Sequence, residues 1–383
     1  MSSTLSVEPV TTLRQRRAFL LFPWRIYRGD PNWVPPVLSD RAARLDPRQN
    51  PLFQHGEAEP FVAVRGGRAV GTIAAAVDHR ANQQCGQQIA IFGFFECVED
   101  YAVGQALLDR AVEWARARGL TILRGPQNFS ANDEPGLLVE GRETPPGLLM
   151  GWTPSYYVDF VERYGFRKWK DSLAYRIYRD DLPVGEGDDV LPGKLVRVAE
   201  YARRRYGYSI RHADPANWDA EMETARRIYN RSLGALPDFV PMGEQEWHRQ
   251  AEKLRPLIDP DFAVFAQVEG REVGFGLGLP DINQALLHCN GLRYPWNYLQ
   301  LWWYSRRLPG ISFKIMAMLP EYWGRGLDAL IYLEIARQVL RKGYQWVDMS
   351  LTGEDNPMTN KLATRVGAKV DKRYRIYELE VGA

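Results

Sequence analysis

The chain has 383 residues, of which 45% are hydrophobic and 25% charged. That composition excludes wholesale disorder, and the length suits two cores of roughly 150 to 190 residues rather than one. Forty-nine basic residues against 47 acidic ones leave a formal charge of +2, too little to wrap a polyanion, so nucleic acid is not an expected partner.

From Arg14 to Arg28 apolar and basic positions alternate as in an opening helix, and Gly29-Asp30-Pro31-Asn32 breaks it. Phe61 to Val64 and Ala69 to Val77, joined by Arg65-Gly66-Gly67-Arg68, predict a hairpin, and Ile89 to Cys97 a central strand. Val103, Leu107, Ala111, Val112 and Ala115 fall at helical spacing over Asp100 to Arg118, with Gly119 as the stop. Thr121 to Arg124 returns to strand. A passage rich in Gly, Pro and Asn, from Gly125 to Pro154, precedes a helix over Tyr156 to Tyr164 and a strand over Leu173 to Tyr178. Asp181 to Gly193 has the turn formers and acids of a linker.

The same order then recurs. Phe262 to Val268 and Val273 to Leu279 predict a second hairpin around Glu269-Gly270-Arg271-Glu272, and Ser312 to Met318 a central strand. Leu327 to Leu340 predicts a helix, Trp346 to Ser350 a strand, Asn356 to Val366 a helix and Arg373 to Glu380 a last strand. An internal repeat of this kind predicts two domains of one design, over residues 1–185 and 191–383. The three cysteines, Cys85, Cys97 and Cys289, fit neither a metal spacing nor a disulfide count, so no metal is expected and a reducing compartment is the natural reading. Met1 to Leu13 lacks a secretion pattern, and no apolar run approaches the ~18 residues of a membrane span. The expected location is the cytoplasm, with contact at the inner membrane face left open.

A strand running into a glycine-punctuated turn and a helix gathers unpaired backbone N–H groups and the helix dipole on one point, where an anion binds. Ser312 to Leu319, Pro320 to Gly326 and the helix from Leu327 have this form. Gly324 and Gly326 permit close approach, Arg325 can neutralise a pyrophosphate, and Leu327 and Asp328 open the helix. An ordinary tight turn would use the same residues.

This turn resembles the acyl-CoA loop of the GNAT (Gcn5-related N-acetyltransferase) superfamily, written Arg/Gln-x-x-Gly-x-Gly/Ala. In register, Trp323 takes the Arg/Gln place, Gly326 the first glycine and Asp328 the second. Asn356 precedes Gly367 at the usual spacing, and Ala363 stands where many members carry a tyrosine acting as general acid. A closer resemblance covers nearly the whole chain: the bacterial ceramide synthase-like family, one branch of which N-acylates sphingoid bases. It rests on Ile26-Tyr27-Arg28-Gly29-Asp30-Pro31-Asn32-Trp33-Val34-Pro35-Pro36, Gly125 to Glu134, Gly324 to Leu330, Glu354-Asp355-Asn356 and Lys372 to Glu378.

The resemblance implies an α/β fold with α+β layering: two tandem GNAT-like domains, each a mixed twisted sheet flanked by helices. It implies an N-acyltransferase that uses an acyl-CoA or acyl-carrier-protein thioester as co-substrate and a lipid or small amine as acceptor, and an acyl carrier protein is then a partner to test. A non-catalytic acyl-thioester or lipid-binding protein is the alternative. The donor arm is expected beside Phe313 to Met318, with Met316, Met318 and Asn356 in contact and an N–H near Met318 for the oxyanion. Glu354 and Asp281 are the candidate bases, and each also reads as a turn or cap residue. Tyr374 is the candidate proton donor. Asn128 and Ser130 in the polar loop, with Asn283, are expected either to line the acceptor side or to hold structure together. Trp302 and Trp303, in an aromatic segment flanked by Arg306 and Arg307, suit the mouth of a lipid channel, a membrane interface or a buried helix. Glu96, Glu99 and Asp100 stand where phosphates would need donors, so no CoA is expected in the first half.

Overall fold

The computed structural model of the chain describes residues 4–129, 136–182, 190–234 and 241–382. In chain order its strands are β1 (Leu5–Pro9), β2 (Gly56–Arg65), β3 (Arg68–Asp78), β4 (Ile89–Cys97), β5 (Ile122–Gly125), β6 (Leu137–Glu140), β7 (Arg167–Tyr178), β8 (Tyr208–His212), β9 (Ala263–Val268), β10 (Arg271–Pro280), β11 (Gly310–Met318), β12 (Trp346–Gly353) and β13 (Lys369–Glu380). Among the described residues no helix is long and apolar enough to cross a membrane.

Two compact units form, and neither is one stretch of sequence. The first gathers Met1–Leu173, Asn283–Arg306 and Lys372–Ala383; the second Ala174–Ile282 and Arg307–Asp371. The last strand, which sequence order places in the second half, thus belongs from Lys372 onward to the first unit. There β13 runs antiparallel to β5, with Tyr377 opposite Gly125.

In the first unit β1, β2, β3 and β4 are successive antiparallel neighbours, and β4 pairs in parallel with β5. The helix Tyr101–Arg116 starts where Asp100 accepts the N–H of Ala102, and it buries Val103, Leu107, Leu108, Ala111 and Ala115 against the sheet. Each such side chain contributes on the order of 1 to 3 kcal/mol. The resemblance strings at both ends of the chain prove to be structural ties of this unit. Tyr27 stacks on Trp33 at 5.0 Å and donates to Glu96 Oε2, and Trp152 donates to Asp30 Oδ2 at 2.7 Å. Lys372, fully buried, donates to the carbonyls of Gly141 and Thr144, and Arg375 grips Asp171 through two hydrogen bonds.

In the second unit the order is β8, β9, β10, β11, β12, antiparallel except for the parallel pair β11 and β12. The helix Leu327–Lys342 can cross β10 closely because Gly276 has no side chain there: a Cβ would stand 2.5 Å from Ile331 Cγ2. Gly343, at φ 75°, ends that helix in the left-handed conformation. Helices Gly193–Tyr206 and Trp218–Leu233 complete the core of the unit, and helix Pro357–Arg365 follows β12.

Candidate active site

The parallel pairing of β11 with β12 runs from Gly310 opposite Trp346 only as far as Phe313 opposite Met349. β11 then continues to Met318 beside β10 alone, with Met318 opposite Gly274. The strands therefore part, and among the described residues no strand pairs with Lys314 to Met318 on the β12 side. An extended chain such as a pantetheine arm can hydrogen-bond to such an edge.

At the point of parting, two strands that are otherwise apolar place charges. Lys314 lies 4.0 Å from Asp348, with side chains only 8% and 2% exposed, and Ser312 Oγ donates to Asp348 Oδ2 at 3.1 Å. Asp281, fully buried after β10, also acts on Lys314, and its own N–H donates to the carbonyl of Gly310. Arg176 of β7 lies 3.3 Å from Asp371 with its guanidinium 4.5 Å above the ring of Trp346. Two cations and three carboxylates thus meet in one interior. Burial lowers the pKa of Lys314, against the pull of Asp348 and Asp281. Burial raises that of Asp348, against Lys314 and Arg176. Both shifts favour the uncharged forms and so narrow the difference in proton affinity between the two groups.

The turn beyond β11 has the expected form. Gly324 and Gly326 adopt φ 70° and 80°, and Gly326 opens the helix Leu327–Lys342 with no side-chain cap. A Cβ on Gly326 would stand 3.0 Å from that of Ala202, so the residue lets helix Gly193–Tyr206 approach. Arg325 is exposed beside the helix N-terminus and Asp328 lies in its first turn, whereas the Leu327 side chain is fully buried. Trp323, at the Arg/Gln place, donates Nε1–H to the carbonyl of Met318 at 3.0 Å. The N–H of Met318, expected to serve an oxyanion, already donates to Ser232 Oγ at 3.3 Å. Met316, half-buried, lies within the open stretch of β11.

Several expected site residues prove to have structural duties. Asn356 caps the helix Pro357–Arg365 by accepting the N–H of Thr359, and Glu354 sits exposed on the turn before it. Tyr374 is buried in the first unit and donates to the carbonyl of Gly151, so its proton is committed. Asn283 is buried and its amide donates to the carbonyls of Pro146 and Gly147. Asn128 is buried, and its Oδ1 accepts the N–H of Phe94 at 2.8 Å. Ser130 lies outside the described residues. Trp302 and Trp303 are exposed on the helix Pro295–Ser305, which removes the reading of that helix as buried.

Asn128 has a wider meaning. In the first unit β4 and β5 also part, after Ile91 opposite Arg124. There the gap is filled by the chain itself: Gln127 donates its N–H to the carbonyl of Phe92 at 2.8 Å, and Asn128 takes Phe94. A Cβ on Gly93 would stand 2.0 Å from the carbonyl oxygen of Gln127. Of the two forks, this one is closed.

No protein-family model matches the chain. The protein named "Bacterial ceramide synthase" from Caulobacter vibrioides is 33% identical over 98% of both chains, and "Protein YghO" from Escherichia coli is 30% identical over 95% of this chain and 93% of its own. Among solved structures, a tandem GNAT protein from the clavulanic acid pathway superposes with a TM-score of 0.57, covering 99% of each chain at 15% identity. A GCN5-related N-acetyltransferase from Sphaerobacter thermophilus gives 0.50 over 85% of this chain and 81% of its own at 14% identity. The structural likeness carries the fold and the identity carries the lineage, so the chain belongs to the bacterial ceramide synthase-like family of GNAT-fold N-acyltransferases.

Proposed function

We propose that the second unit transfers a fatty acyl group from a phosphopantetheine thioester to the primary amine of a sphingoid base, forming an amide. The observation that carries this reading is the open fork between β11 and β12 with Lys314, Asp348 and Asp281 at its closed end. The donor arm lies along Lys314 to Met318, and its phosphates meet Arg325 and the N-terminus of helix Leu327–Lys342. The carboxylates of Asp281 and Asp348 attract the acceptor's ammonium, whose pKa is about 10, and the Lys314–Asp348 pair takes its proton. The freed amine attacks the thioester carbonyl, an N–H of the β11 edge holds the oxyanion, and the C–S bond then breaks to release thiolate, which takes up a proton. A sphingoid base as acceptor is supported by the name of the Caulobacter relative.

The test is thiol release from acyl-CoA and acyl-carrier-protein donors of graded chain length, with and without sphinganine, and mass spectrometry of the product. Sphinganine-dependent release with an N-acyl product is expected, and the donor series separates CoA from carrier protein. An N-acyl product only with another amine would overturn the acceptor. A second reading, a non-catalytic binder of acyl thioesters, rests on the Met318 N–H and C=O both being engaged by side chains. Stabilisation by acyl-CoA without any thiol release would select it.

A further inference from the structure

The helix Pro295–Ser305 is built inside out. Its buried position is Asn297, whose amide donates to Gln300, while Trp296, Leu299, Trp302 and Trp303 face outward, Leu299 and Trp303 being 71% and 64% exposed. A helix that stabilises only its own fold buries those residues, and outward apolar patches mark a surface that meets something else. Arg306 lies 5.0 Å above the ring of Trp302, and Arg293 5.1 Å above that of Trp24.

Beside this helix, within the same unit, Arg293 and Tyr294 line a cavity of about 360 Å³ together with Leu13, Arg16, Arg17, Leu20, Leu21 and Leu38. Leu13, at the start of helix Leu13–Leu21, is 85% exposed. Charge in both segments has one sign. No Asp or Glu occurs from Val10 to Gly29 or from Ile282 to Pro320, in a chain whose net charge is only +2. Asp46 acts on Arg16 from outside these stretches, but Arg16, Arg17, Arg293 and Arg306 make no ion pair among the described residues.

We propose that helices Leu13–Leu21 and Pro295–Ser305 together dock the first unit on an anionic lipid surface. The tryptophans and Leu299 enter the headgroup boundary, where indole rings are most stable, and the arginines meet the phosphates. A second copy of the chain fits this surface poorly, because it would set arginines against arginines. An anionic bilayer supplies the missing charge.

The test is sedimentation of the full chain with vesicles of phosphatidylcholine alone and of phosphatidylcholine mixed with phosphatidylglycerol, with tryptophan emission recorded. The protein is expected to sediment with the anionic vesicles, with emission shifted to the blue. Replacing Trp302→Ala together with Trp303→Ala, or Arg16→Glu together with Arg17→Glu, should weaken binding about tenfold or more. The arginine variant is expected to keep its thiol release from soluble donors, so that lost docking and lost catalysis are told apart. Absence of sedimentation by the wild type, or equal binding by the arginine variant, overturns the proposal. So does a dimer in solution that the tryptophan variant dissociates, since the face would then meet a second copy.

Discussion

Lys314→Met isolates the charge cluster of the second unit, because methionine keeps the length of the side chain and removes only its ammonium. In the wild type Asp348, almost wholly buried, faces Lys314, Arg176 and the Ser312 hydroxyl. Breaking a buried pair by removing one partner costs about 3 to 5 kcal/mol. Arg176 and Ser312 remain, so the lower end, about 3 kcal/mol, is expected at neutral pH, and for a unit of this size that lowers its Tm by roughly 6 to 12 °C. The cost must depend on pH. Asp348 has a folded pKa above its unfolded value, and loss of Lys314 raises it further, so the stability gained from its protonated form is present at low pH and lost as pH rises through the folded value. Lys314 has a folded pKa below its unfolded one, so the wild type loses stability as pH falls through that value. Both effects make the penalty shrink toward acid. Thermal unfolding followed by tryptophan emission at about pH 5.5 and about pH 8 checks this. The double variant Lys314→Met with Asp348→Leu should recover most of the loss. A penalty below about 1 kcal/mol at both pH values, the worth of a solvated pair, would refute the argument.

Three further outcomes follow from the same geometry. Lys314→Met should lower sphinganine-dependent thiol release by about 10²- to 10⁴-fold while acyl-CoA still raises Tm, whereas Glu354→Gln, on an exposed turn, should stay within about threefold of wild type; steady-state kinetics on both variants decides between the two as base. Gly326→Ala places a Cβ 3.0 Å from Ala202 at a φ of 80°, at a cost of about 1 to 3 kcal/mol, and should raise KM for the donor more than it lowers kcat. Asn128→Ala leaves the buried N–H of Phe94 without its acceptor and should destabilise the first unit by about 1 to 3 kcal/mol in urea unfolding, with KM for the donor unaltered.

The repeat was legible because glycine turns and helix stops are local signals, as at Gly66-Gly67, Gly270 and Gly343. The glycine turn after β11 was legible for the same reason, since Gly324 and Gly326 take left-handed angles. The charge cluster was not, because Lys314 and Asp348 are each a single charge in an apolar strand and only the register of β11 on β12 joins them. A sharper signal was present: two neighbouring strands of a parallel pair are buried on both faces, so a lone lysine in one and a lone aspartate in the other predict each other. The place of β13 was illegible, because the partner of a strand is fixed by pairing across more than two hundred residues and by nothing in its own pattern. Tyr374 goes with that strand into the first unit, where its hydroxyl donates to the carbonyl of Gly151.

The two forks differ in what fills them. The gap between parallel strands is costly, since its edge leaves backbone groups that must find partners. In the first unit Gln127 and Asn128 supply those partners permanently, and Gly93 makes room for them. In the second unit, among the described residues, no such filler strand lies along Lys314 to Met318, and the side chains of Ser232 and Trp323 engage its far end. Side chains can rotate away where a backbone segment cannot. In the proposed mechanism the closed fork is a scaffold, and the open one exchanges its side-chain partners for a ligand's amides. The open fork buries Lys314 and Asp348 beside Ser312 and Asp281, while the first unit buries its own charges, Arg41, Asp171 and Lys372, against an aromatic ring, an arginine and backbone carbonyls. Groups so buried beside an open strand edge are the ones that the Lys314→Met kinetics test for a part in the chemistry.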